Sequence, residues 1–109
     1  MLKGSGAIKD AARQYNKDYI DEAEPLIKKG EAIVYVTIRT KRNGDLIVNT
    51  TPGVMANNEF IGSADTITST IRGQRTLGAH NAQVKRIADK AASQYGVPSR
   101  ILDHAPDVR

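Results

Sequence analysis

The sequence predicts an α+β domain. A small antiparallel sheet is built on a β-hairpin over about 32–50 with at least one further strand, and two amphipathic helices over about 7–24 and 79–95 pack on it. Three observations lead to that expectation. Residues 32–40 (AIVYVTIRT) and 45–49 (DLIVN) are β-branched runs on either side of Asn43-Gly44. Before and after this hairpin, apolar residues recur at three- and four-residue steps, the period of a helix with one buried face. An isolated two-stranded hairpin is rarely stable in water, so the fold needs another strand, and the threonine-rich run 66–71 suits it best.

Each element has its own signals. In the first helix Ile8, Ala11, Ala12, Tyr15, Tyr19, Ala23 and Leu26 form the apolar stripe, Ser5 is a candidate cap, and Pro25 ends or kinks the helix near Ala23. Within the hairpin Val34, Val36 and Ile38 share one face, and Asn43-Gly44 suits a type I′ turn because both residue types accept positive φ. Residues 50–65 (TTPGVMANNEFIGSAD) read as a long connection: Pro52-Gly53 breaks the strand, and the segment is a candidate lid or pocket wall. Residues 66–71 fit two readings: Ile67 and Ile71 suit a helical i,i+4 pair with Ser63 as cap, while threonine's stiff χ1 favours a strand. Val84, Ile87, Ala88, Ala91 and Tyr95 form the buried stripe of the second helix, and Gly96 followed by Pro98 stops it. A short strand over 100–103 is a final option before the C-terminus.

A chain of 109 residues predicts a single domain, 1–109, with one core. With 39% apolar residues, four tyrosines, one phenylalanine and no tryptophan, that core is thin and aliphatic. A thin core and an exposed hairpin edge both predict a homo-oligomer. The lack of cysteine excludes disulfides and thiolate-bound metals. No apolar run is long enough to span a bilayer and residues 1–14 lack a secretory apolar stretch, so the expectation is a cytoplasmic protein without a membrane partner.

The formal charge of +4 is unevenly distributed. Residues 66–102 hold Arg72, Arg75, Lys85, Arg86, Lys90 and Arg100 against Asp89 alone, whereas basic and acidic side chains balance over 1–65. That asymmetry points to an anionic partner. The sharpest constellation is the connection from Arg72 to Asn81, RGQRTLGAHN. Gly73 and Gly78 allow close backbone approach, and Arg72 and Arg75 can fork onto phosphate oxygens. A helix start near residue 79 supplies unpaired N–H groups and the positive end of its dipole. With Thr76, His80, Asn81, Lys85 and Arg86 these residues form a candidate phosphate-binding set that matches neither the P-loop spacing nor the dinucleotide fingerprint. A second small basic cluster, Arg39, Lys41 and Arg42, sits at the hairpin tip.

The favoured function is therefore a small basic binding protein for a phosphate-bearing ligand, either an RNA or DNA backbone or a small or cyclic nucleotide, with no cofactor. One alternative is a metal-independent ribonuclease of the toxin type. There His80 is the candidate catalytic residue, beside Arg72 or Arg75, with His104 as the second proton-transfer group. Another is an inhibitor or structural protein that binds a partner through 50–65. Asp103, His104 and Asp107 are a poor ligand set, so no metal site is expected. Aromatics do not interleave the basic stretch, which argues against recognition by base stacking.

Overall fold

The computed structural model describes residues 4–73 and 77–101, and side chains over 5–73 and 81–101. The order is α1 (Gly4–Tyr15), a 3-10 turn (Lys17–Tyr19), α2 (Ile20–Lys29), β1 (Glu31–Thr40), β2 (Leu46–Ala56), β3 (Glu59–Gly62), β4 (Ile67–Ile71), α3 (Leu77–Tyr95) and β5 (Ser99–Ile101). The α+β expectation holds: an open, mostly antiparallel sheet on the β1–β2 hairpin, with helices against it. β1 and β2 pair over ten residues, Glu31↔Met55 to Thr40↔Leu46. The far edge of β2 is shared, with β4 along Leu46–Thr50 and β3 along Gly53–Ala56. β5 runs parallel to β1 at Val34–Val36, so the option of a last strand is realised at Ser99–Ile101.

One face of the sheet carries the helices. Over the half nearest the β1–β2 turn, Val84, Ala88, Ala91 and Ala92 of α3 pack on Val36, Ile38, Leu46, Val48 and Ile71. Over the other half, Ile8, Ala12, Ala23 and Ile27 of α1 and α2 pack on Ala32 and Val54. The core is aliphatic throughout, as the composition requires. Gly96 (φ +70°) closes α3, and the Val97 N–H reaches back to the Ala92 carbonyl.

The first helix is two. It breaks at Asn16, whose side-chain amide donates to the carbonyls of Ala12 (2.8 Å) and Gly62 (3.1 Å), tying the break to β3. The break resets the apolar stripe. Ile20, Ala23 and Ile27 become the inward positions of α2, while Tyr15 and Tyr19 are 62% and 67% exposed. Pro25 lies inside α2 without ending it, and it stands, with Asp21 whose carbonyl loses its helical donor, on the exposed side of the helix. Ser5 lies within α1 and is not its cap. A half-exposed ion pair, Arg13 Nε to Glu24 Oε1 at 2.8 Å, joins the two helices. The hydrogen bond from Arg13 holds the Glu24 carboxyl below its usual range.

Residues 50–65 are not a lid. β2 continues to Ala56, and Asn57 and Asn58 (φ +52° and +65°) make the two-residue turn into β3. The type I′ geometry expected at Asn43-Gly44 is therefore found here. At residues 41–45 only Gly44 takes positive φ (+94°), the Gly44 N–H bonds to the Lys41 carbonyl and the Lys41 N–H to the Asp45 carbonyl, which makes a three-residue loop. Pro52 does not break β2 because its missing N–H falls in the gap between β4 and β3. Residues 51 and 52 have no partner on that edge, and the Pro52 carbonyl is used by the Ser63 N–H at 3.0 Å.

Candidate functional site

The β2–β4 register joins what the sequence keeps apart. Because Leu46 pairs with Ile71, the chain leaves β4 beside the β1–β2 turn. The Gly73 N–H (φ +63°) points to Asp45 Oδ1 at 3.4 Å. The same carboxylate accepts from Asn43 Nδ2 at 3.2 Å through its other oxygen, and the Asp45 N–H donates to Asn43 Oδ1 at 3.0 Å. Asp45 thus acts as a clasp between the hairpin loop and the start of the β4–α3 connection. The two basic clusters read separately from the sequence, Arg39-Lys41-Arg42 and Arg72, come to one end of the sheet. All four side chains are exposed, and among the described residues none is in an ion pair.

Side-chain alternation puts Arg39, Ile47 and Thr70 in one row across β1, β2 and β4 on the face opposite the helices. The next row is Thr37, Asn49 and Thr68, with Thr68 Oγ1 donating to Asn49 Oδ1 at 2.6 Å. Tyr35 and Thr51 follow, and Thr51 Oγ1 lies 2.9 Å from Thr66 Oγ1. This polar hydroxyl face runs from the basic end to Tyr35, which stacks on Phe60 with centroids 4.6 Å apart. The even spacing of Thr66, Thr68 and Thr70 is the only trace of this face in the sequence, since their neighbours on β1 and β2 follow from the strand register.

For the rest of the sequence-derived set, α3 begins at Leu77, two residues earlier than expected. Gly78 and His80 lie in its first turn, with the His80 side chain outside the described residues, as are Arg75, Thr76 and His104. Asn81 and Arg86 are exposed. Lys85 pairs with Asp89 at 3.1 Å. It stands eight residues beyond Leu77, about 12 Å along the axis at helical rise. A depression lined by residues 17–22 holds Asp18, Asp21 and Glu22 against Lys17, the wrong sign for phosphate. Among the described residues no cluster of three or more metal-ligating side chains occurs, and no helix is long and apolar enough to cross a membrane.

No family model, curated protein or solved structure matches this chain.

Proposed function

We propose that the protein binds nucleic acid through its phosphate backbone, at the end of the sheet formed by the β1–β2 turn and the exit of β4. One observation carries the reading: the β2–β4 register brings Arg39, Lys41, Arg42 and Arg72 to one end of the sheet, where Asp45 is hydrogen-bonded to Asn43 and Gly73. Four exposed cations without ion-pair partners among the described residues suit an extended polyanion, whose condensed counterions they release. A small nucleotide needs a concave site that buries most of its surface, and an exposed turn does not supply one. The Thr37–Asn49–Thr68 row adds neutral hydrogen-bonding groups on the path from the basic end.

Fluorescence anisotropy with a mixed-sequence oligonucleotide, single-stranded and duplex, tests the proposal. Four neutralised phosphates give a slope of log Kobs against log salt of about −3 to −4. The Lys41→Ala, Arg42→Ala double variant loses about two contacts and flattens that slope by about 2. Salt-independent binding, or a slope the double variant leaves intact, overturns the reading. A thermal shift with mononucleotides at a shallow salt slope transfers it to a closed pocket.

A further inference from the structure

We infer that the outer edge of β4 is a self-association edge, and that it pairs antiparallel with β4 of a second copy of this chain. The inference stands without the nucleic-acid reading, although Arg72 enters both.

The hydrogen-bond parity of the sheet shows what that edge offers. The Val34 N–H bonds to the Pro98 carbonyl, on the β5 side of β1, and Val34 is opposite Pro52. Even-numbered residues of β2 therefore direct their backbone polar groups away from β1, as the Ser63 N–H to Pro52 carbonyl bond confirms. Their partners Ile67, Ser69 and Ile71 bond inward to β2. Thr68 and Thr70 point their N–H and C=O groups outward, and among the described residues no strand pairs with them.

Edge strands in monomeric proteins are usually shortened, charged, bulged or broken by proline. β3 has four residues and carries Glu59; β5 has three, carries Arg100 and follows Pro98. β4, ITSTI, has no charge, no proline and no bulge in its register, and its Ile67 is 52% exposed. Its ends select both partner and direction, since Asp65 precedes it and Arg72 follows it. Parallel pairing would set like charges side by side. Antiparallel pairing about Ser69 sets Arg72 of each copy beside the Asp65–Thr66 end of the other. That register matches Thr68 with Thr70 as a hydrogen-bonded pair and the exposed Ile67 with Ile71 on the helix side.

The test is the solution mass of the ligand-free full chain by sedimentation equilibrium across a concentration series. A concentration-dependent species of twice the chain mass is expected. Thr68→Pro removes an outward N–H together with the exposed Thr68–Asn49 side-chain hydrogen bond, and should raise the dimer Kd roughly tenfold or more while the melting temperature at low concentration falls by only a few degrees. If that variant melts early, Thr70→Lys gives the same readout by placing a charge on the edge. Because the chain has no cysteine, Ser69→Cys supplies an independent check. Residues facing each other across a non-hydrogen-bonded pair are about 4.5 Å apart at Cα, within disulfide reach. Mild oxidation should then yield a covalent dimer, whereas Ser93→Cys on the exposed side of α3 should not. A wild-type chain monomeric at every concentration overturns the inference. So does a dimer indifferent to both edge substitutions and not trapped by Ser69→Cys.

Discussion

The two ends of β2 belong to one strand and solve opposite problems. At the Pro52–Ala56 end the backbone is hemmed in. A Cβ on Gly30 would meet Val54 Cγ1 at 2.1 Å and the Leu26 carbonyl at 2.8 Å, and one on Gly53 would meet the Ile61 carbonyl and the Phe60 ring at 2.5 Å. At the Leu46 end the chain turns through solvent, the glycine at 44 has nothing within 4 Å of where a Cβ would stand, and Arg39, Lys41, Arg42 and Arg72 are all exposed. Close packing fixes the first end, and electrostatics and hydration shape the second. Substitutions should therefore separate cleanly, with stability lost at one end and binding lost at the other.

Gly30→Ala should be the largest perturbation. Its methyl group collides with a core side chain and a helix carbonyl, which places it near the upper range for overpacking, about 3 kcal/mol, a fall in Tm of roughly 10–20 °C by calorimetry. Phe60→Ala removes the ring that covers Gly53 and stacks on Tyr35, and about 2 kcal/mol should be lost in urea unfolding because the ring is only half-buried. A smaller effect of the opposite sign is expected at the β2–β3 turn. Asn58→Gly relieves a positive φ of 65° and should gain roughly 0.5 kcal/mol. At the basic end Lys41→Ala, Arg42→Ala and Arg72→Ala should each stay within about 0.5 kcal/mol of wild type in the same assay while weakening oligonucleotide binding. A tip alanine as costly as Phe60→Ala would dissolve the contrast.

A pH profile sharpens it further. The Glu24 carboxyl is held low in the folded state by Arg13, so its contribution is present above the unfolded carboxyl pKa and is lost as pH falls through the folded value. Acid unfolding should begin sooner in wild type relative to its neutral-pH stability than in Glu24→Gln, which has no such group to protonate. Parallel acid profiles would show that the Arg13–Glu24 pair adds nothing.

The sequence made the α+β class, the hairpin, the β4 run and the C-terminal helix legible because periodicity and β-branching act locally. It failed where tertiary structure overrode local signals. Pro52-Gly53 looked like a strand break because the gap between β4 and β3 that accommodates a missing N–H is a property of the sheet, not of the dipeptide. Asn43-Gly44 looked like the type I′ turn, and Asn57-Asn58 took that geometry because the strands beside it pair directly at Ala56↔Glu59. Tyr15 and Tyr19 fitted a continuous helical stripe, and the break at Asn16 turned both outward. Of the candidate site, the Arg72–Gly73 entry was visible as a motif. Its neighbourhood with Arg39, Lys41 and Arg42 was not, since that depends on a strand register linking residues 25 apart in Leu46↔Ile71.

The most direct test of the contrast is a residue-resolved amide titration of the ligand-free protein with a short oligonucleotide at low salt. Chemical-shift changes should concentrate at residues 39–45 and 70–73 and reverse as salt is added, with residues 53–62 unmoved. Shifts centred on residues 53–62 or on α1 and α2, or none at saturating oligonucleotide, would contradict the assignment of binding to the basic end of the sheet.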